Sequence, residues 1–129
     1  MEGKKWIVAG AIVAVAAMTG LLAAVMTPTK TWAGYDDTWK AVDSLDRISM
    51  PESALKLVNE IYDHAKAENI SPPIIKSLIY RGKYTNMLEE DGEEKAIALF
   101  EKEIAISDGV TKAVLQSLTA NLYWQYYYH

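Results

Sequence analysis

Helical periodicity is the feature that most constrains the fold of this chain. From residue 35 to residue 122, apolar side chains recur every three or four positions, and the alternation typical of β-strands is absent. The first of these runs contains Tyr35, Trp39, Val42 and Leu45. Later runs are separated by short segments that contain Gly, Pro, Asn or Asp. The pattern predicts an all-α fold of five helices joined by short turns.

Local signals predict where several of these helices begin and end. Ser49 followed by Glu52 fits a capping box, and Pro51 suits the first turn of the second helix. Gly92 occupies the place of a C-terminal cap of the third helix. Gly82 lies inside that helix, where glycine costs about 1 kcal/mol relative to alanine. We therefore expect a neighbouring helix to pass close to Gly82.

The helical segments repeat along the chain. Residues 74–78 align with residues 114–118, an offset of 40, and residues 54–58 align with residues 96–100, an offset of 42. A period of about 40 residues with two helices in each unit is typical of α-solenoids of the tetratricopeptide type. We therefore predict tetratricopeptide-like helical hairpins.

A charge-free segment precedes the helices. Residues 6–26 hold no ionisable side chain and follow directly after Lys4 and Lys5, the pattern that export machinery recognises. As a helix this segment would extend about 31 Å, enough to cross the hydrocarbon core of a bilayer. Residues 1–33 are predicted to be a cleaved signal peptide or an uncleaved signal anchor, with a short linker. Residues 34–129 are then the helical-repeat domain.

Charge and cysteine content narrow the classes of protein. The chain has a formal net charge of −4, and residues 1–33 contribute +2, so residues 34–129 carry −6 (−4 minus +2). An acidic domain is a poor electrostatic match for nucleic acid, and we expect no nucleic-acid partner. The sequence contains no cysteine, which excludes disulfides, thiol nucleophiles and cysteine-ligated zinc.

No arrangement of residues in the sequence indicates catalysis or metal binding. The acidic residues 89–94 surround Gly92, but the numbering of a calcium loop would place apolar residues at its first and last ligand positions. His64 and Glu68 are four residues apart, as zinc ligands can be, yet an exposed polar pair is the favoured interpretation. We expect no catalytic residue, no metal and no cofactor, and hence a protein that is not an enzyme.

Aromatic residues supply the candidate partner surface. Four of them could line the concave groove of a solenoid, although aromatic residues at helical spacing are more often core: Trp39, Tyr62, Tyr80 and Tyr84. Residues 123–128 hold five more, which surround the last helix at about 100° per residue. Either that helix docks under a partner or the domain is truncated at its C-terminus, and truncation is favoured. The predicted partner surface comprises Tyr80, Tyr84, Tyr123, Trp124 and Tyr127.

Several segments of the chain resemble a known family. They are the run Trp39-x₂-Val42-x₂-Leu45, residues 51–55, 75–81 and 88–97, and the aromatic end at residues 122–127. Together they resemble the N-terminal segment of large alpha-2-macroglobulin-like proteins of Bacteroidetes. The resemblance implies an exported envelope protein of the protease-inhibitor superfamily, in which a bait region is cut and the molecule closes around the protease, often with a thioester. This chain has no cysteine for a thioester and no segment that resembles a bait region, so no functional residue is transferred.

These observations predict a non-catalytic scaffold or interaction module of an exported protein that resembles alpha-2-macroglobulin. The expected location is the bacterial periplasm or cell envelope, with a membrane contact through residues 6–26 if that segment is not cleaved. The expected partner is a protein, either the rest of a longer chain or a separate molecule. The alternative is a free-standing, membrane-anchored tetratricopeptide-like adaptor that binds a peptide or protein partner.

Overall fold

Five helices account for nearly all of residues 31–129, the part of the chain that the computed structural model describes. They are α1 (Tyr35–Arg47), α2 (Pro51–Glu68), α3 (Ser71–Leu88), α4 (Gly92–Ile106) and α5 (Gly109–Tyr128). No strand occurs in this range, and Ala33–His129 form one compact unit. The prediction of an all-α fold with five helices is confirmed. The predicted export segment, residues 6–26, lies outside the described residues.

The helices are arranged in two layers. In the first layer α3 lies between α1 and α5. The ring of Trp39 on α1 packs against Tyr80 on α3, with centroids 5.0 Å apart, and the Thr111 hydroxyl on α5 donates to Ser71 Oγ on α3 at 2.5 Å. The second layer consists of α2 and α4, which are joined through Glu103 on α4.

The hydrophobic core lies between the layers and contains buried residues from all five helices. Its central cluster consists of Ala65, Ile74, Leu78, Phe100 and Leu115, all at most 4% exposed. Each helix contributes residues spaced three or four apart, as the apolar periodicity predicts. Because both layers are only one helix thick, the side chains that point away from the shared core face solvent or an unfilled groove.

The predicted capping box at the start of α2 is wrong. The N-cap of α2 is Met50, which makes no side-chain hydrogen bond to the helix, and Pro51 begins the helix as expected. Ser49 instead ends α1 in a left-handed backbone conformation with φ of 57°, and its N–H donates to the Asp46 carbonyl at 3.1 Å. The serine therefore belongs to the turn that closes α1 and is not available as the cap of α2.

Two glycines shape the contact between α3 and α4. Gly92 begins α4 and does not cap α3, so that prediction is also wrong. A Cβ at Gly92 would lie 2.3 Å from Asn86 Cα and 2.8 Å from the Thr85 carbonyl oxygen, closer than the backbone of α3 permits. Gly82 lies against α4 as expected, but a Cβ there would meet the Phe100 ring at an ordinary 3.4 Å.

Candidate functional site

The C-terminal half of α5 carries an exposed aromatic cluster. Trp124, Tyr127 and Tyr128 are 61%, 73% and 68% exposed. The rings of Trp124 and Tyr128 stack with centroids 4.0 Å apart, and Tyr123 stacks on Tyr127 at 6.3 Å. Residues four apart lie on one side of a helix, so α5 itself brings these rings together. Of the predicted partner residues, Tyr123 and Tyr127 thus form one stacked pair and Trp124 belongs to the other, and the two pairs together make up the aromatic cluster.

Two carboxylates on α4 hold the inner edge of this aromatic cluster. The Tyr123 hydroxyl donates to Glu101 Oε1, and the Tyr126 hydroxyl donates to Glu94 Oε1 at 2.6 Å. Donation to a carboxylate raises the pKa of both phenols. The cluster is therefore fixed to α4 along one side, while the side that points away from α4 stays open.

An apolar groove lies beside the aromatic cluster, between α3, α4 and α5. Its volume is about 350 Å³. The buried residues Gly82, Ala96 and Phe100 form its floor. Its walls and rim come from all three helices: Ile79, Lys83 and Asn86 of α3, Glu93 and Ile97 of α4, and Leu118, Asn121, Leu122, Gln125 and Tyr126 of α5. A groove of this size and composition fits one or two apolar side chains, with amide groups at the rim to receive polar atoms.

The other two predicted partner residues, Tyr80 and Tyr84, lie between α1 and α3. Tyr84 is fully buried, and its hydroxyl donates to Asp46 Oδ1 at 3.1 Å. Burial, together with that carboxylate, raises the pKa of Tyr84. Its assignment to a partner surface is wrong, because the ring is enclosed by the two helices. Tyr80 is partly exposed and packs between Trp39, which is 9% exposed, and Tyr84, so these aromatic rings do not line an open groove.

Sequence reasoning missed Glu103, a carboxylate that is only 3% exposed. Glu103 Oε1 accepts a hydrogen bond from Lys66 Nζ at 2.7 Å, and Oε2 accepts one from the Tyr62 hydroxyl at 2.5 Å. Burial and then the hydrogen bond to Glu103 raise the pKa of Tyr62 to about 12. The guanidinium of Arg81 lies 4.6 Å from the centre of the Tyr62 ring. This network joins α2 to α4 and is structural. The sequence could have indicated it, because Glu103 lies one helical turn after Phe100 and therefore on the buried face of α4.

Metal-binding and membrane-spanning features were also sought in residues 31–129. In that range no group of three or more His, Cys, Asp or Glu side chains could hold a metal ion. None of the helices described there is long and apolar enough to cross a bilayer. Comparisons with protein-family models, with curated proteins and with solved structures gave no match. The groove and the aromatic cluster are the candidate functional features of residues 31–129.

Proposed function

We propose that residues 34–129 form a non-catalytic protein-interaction module in an exported envelope protein that resembles alpha-2-macroglobulin. The apolar groove between α3, α4 and α5 is the observation that carries the interaction role. It is open to solvent, it is lined mainly by apolar side chains, and exposed aromatic rings stand beside it. Aromatic and aliphatic pockets of this kind receive the anchor residues of protein partners.

The order of the helices supports a tetratricopeptide-like arrangement of hairpins. α2 and α4 occupy one layer, α1, α3 and α5 the other, so the chain alternates between layers as stacked helical hairpins do. Residues that align at an offset of 42 are also buried alike. Ala54 and Ala96 are 0% and 5% exposed, and Val58 and Phe100 are 0% and 3% exposed. The segments at an offset of 42 thus match in burial, whereas those at an offset of 40 do not, because Ile74 and Ser77 are buried while Val114 and Ser117 are exposed.

Two kinds of whole protein are compatible with this module. The resemblance of residues 35–129 to alpha-2-macroglobulin-like proteins supports a scaffold that belongs to a protease-inhibitor protein, although this segment holds neither bait region nor thioester. The alternative is a membrane-anchored adaptor, in which residues 6–26 stay in the membrane and the groove takes a peptide. The groove favours neither over the other, but it supports the interaction role that both share, since its lining lies entirely within residues 79–126.

A displayed random-peptide library, screened against purified residues 33–129, tests the interaction role. Selected peptides should share one or two large apolar residues, and their affinity is then measured by fluorescence anisotropy. Ile79→Asp places a charge in the groove and should weaken binding at least about tenfold. Met87→Asp is the matched control, because Met87 is exposed on the same helix (59%, against 45% for Ile79) and does not line the groove.

If no apolar motif is enriched, or if Met87→Asp weakens binding as much as Ile79→Asp does, the groove is not a binding site. Circular dichroism of both variants checks that the helical content is unchanged, so that a loss of binding is not a loss of fold.

A further inference from the structure

The outer face of α5 carries an uncharged stripe along most of the helix. Six exposed residues, spaced alternately three and four positions apart, form this stripe: Val110, Ala113, Ser117, Ala120, Trp124 and Tyr127. That spacing keeps side chains on one side of a helix and is the spacing of helix–helix seams. The single Lys, Arg, Asp or Glu of α5 is Lys112, which is not part of the stripe. No helix among the described residues covers this face.

The stripe is self-complementary in shape. Ala113, Ser117 and Ala120 leave its first half shallow, whereas the rings of Trp124 and Tyr127 project from its second half. Two copies of α5 that run antiparallel, with a twofold axis between positions 118 and 119, bring the shallow half of each opposite the aromatic half of the other. The facing pairs are then Val110 with Tyr127, Ala113 with Trp124, and Ser117 with Ala120. Large rings meet smaller side chains, which is how facing helices interdigitate.

We infer that a second copy of this chain covers the stripe, forming an antiparallel α5–α5 pair about a twofold axis. This goes beyond the interaction role proposed for the groove, because the stripe lies on the outer face of α5 and contributes no residue to the groove.

The exposed aromatic rings at the C-terminal end of α5 supply about half of the area that such a pair requires. Trp124, Tyr127 and Tyr128, at 61%, 73% and 68% exposure, present about 400 Å² of surface, since an aromatic side chain buries roughly 150–250 Å². A stable interface takes roughly 800 Å² from each partner, so the three rings supply about half. Val110, which is 75% exposed, and the small residues of the stripe lie along the remainder of the contact.

Charge favours the α5–α5 pair over a head-to-tail contact, in which α5 of one copy would pack on the opposite edge of the same layer in a second copy. That edge is α1, whose exposed side chains include Asp36, Asp37, Lys40, Asp43 and Arg47. A head-to-tail contact would bury these charges against aromatic rings, at a desolvation cost. Two uncharged stripes bring no like charges face to face, and the net charge of −6 on residues 34–129 acts only at longer range. Added salt should therefore strengthen the association.

Cysteine cross-linking in the full chain tests the pair, because the natural sequence contains no cysteine. Chains with Ser117→Cys and size-tagged chains with Ala120→Cys are mixed and oxidised. An antiparallel pair brings position 117 opposite position 120, so disulfide-linked heterodimers should exceed both homodimers by at least about fivefold. Ala41→Cys, at an exposed position on α1, measures random collision. Association through any other part of the chain, residues 6–26 included, does not produce this preference for the heterodimer.

A second substitution separates a specific seam from an accidental contact. Trp124→Glu in both chains places two carboxylates against the seam and should reduce the heterodimer at least about fivefold. Ala41→Glu is the matched control and should leave the yield unchanged. Circular dichroism confirms that each variant keeps its helices.

Three results would overturn the inference. The first is a predominance of homodimers, which indicates parallel helices. The second is a heterodimer yield no higher than the cross-linking yield of Ala41→Cys. The third is a heterodimer yield that Trp124→Glu does not change. Ile79→Asp, which disables the groove, should leave the cross-linking unchanged. The two experiments therefore distinguish a failure of the proposed groove function from a failure of the proposed α5–α5 pair.

Discussion

Glu103 is a carboxylate on a helix face whose other members are apolar, and both of its oxygens are used. Lys66 donates to one oxygen and Tyr62 to the other, so the charge is compensated within the protein. Lys66 is itself 33% exposed, while Glu103 is 3% exposed. Removing the lysine would therefore leave a buried carboxylate with a single neutral donor, a costly arrangement in a medium of low polarity.

We predict that Lys66→Met destabilises the fold by about 2–3 kcal/mol, less than the cost of breaking a fully buried pair because water reaches part of the lysine. The double variant Lys66→Met, Glu103→Leu should recover most of that loss, since it removes the stranded charge along with its partner. Urea unfolding of the three proteins measures these differences. Lys40→Met is the control, because Lys40 pairs with Asp37 on the surface at 77% and 69% exposure and such pairs contribute at most about 1 kcal/mol. Equal effects of Lys66→Met and Lys40→Met would show that Glu103 is better hydrated than its burial indicates.

At the scale of the helix, apolar spacing was sufficient to predict the number and order of the elements but not all of their ends. Pro51 and the prolines that follow Ser71 fix φ near the value that a helix needs, so the starts of α2 and α3 were predictable. The sequence pattern predicts a cap at Gly92 because glycine commonly ends helices, whereas this glycine lets the backbones of α3 and α4 approach each other. That role depends on which helix lies nearby, and a single sequence does not specify this.

The candidate site was likewise only partly predictable from the sequence. The exposed rings of Trp124 and Tyr127 were predictable, because consecutive aromatic residues cannot all face one side of a helix. Tyr84 was assigned to the surface although it is buried, because periodicity tells which residues share a face but not which helix covers it. The groove was missed for that reason too, since its lining is brought together from three different helices by their packing.

The two glycines of α3 and α4 give a matched pair of substitutions. Gly92→Ala places a Cβ 2.3 Å from Asn86 Cα, so the turn must open, and we expect a loss of about 1–3 kcal/mol. Gly82→Ala places a Cβ at 3.4 Å from the Phe100 ring, an ordinary contact, and removes a helix-weakening glycine. It should stabilise the protein by up to about 1 kcal/mol. Thermal and urea unfolding measure both, and a Gly92→Ala variant as stable as the natural protein would show that α4 begins farther from α3.

On the scale of the whole molecule, each layer contains a phenol that crosses from one helix to another, and this phenol is fully buried in Tyr84 and partly buried in Tyr62. Tyr84 of α3 donates to Asp46 of α1, and Tyr62 of α2 donates to Glu103 of α4. The two layers share one core, so a break in either hydrogen bond loosens packing that all the helices use. Both phenols must stay protonated to donate, which makes the stability of the array sensitive to alkaline pH.

The direction of this pH dependence follows from the pKa of each phenol. Burial raises the pKa of Tyr62 from 10.0 to about 12 and raises the pKa of Tyr84 as well, so the folded state favours the neutral phenols. Their contribution to stability is complete below about pH 10 and is lost as the pH rises through the folded-state values. We expect the free energy of unfolding, measured in urea at successive pH values, to fall steeply above pH 10. The double variant Tyr62→Phe, Tyr84→Phe should be less stable at neutral pH but show a shallower alkaline decline.

Tyr127→Phe serves as the control for this alkaline decline. Tyr127 is 73% exposed and takes no part in the contacts between helices of the same layer, so its substitution should leave the slope as it is in the natural protein. An unchanged slope in the double variant would mean that other groups cause the alkaline loss and that the two phenols are not the pH-sensitive links within the layers. If Tyr62→Phe alone gives a shallower slope, the alkaline loss of stability arises in the α2–α4 layer. If Tyr84→Phe alone does so, it arises at the α1–α3 contact. Because the two phenols lie in different layers, the separate variants show which layer loosens first as the pH rises.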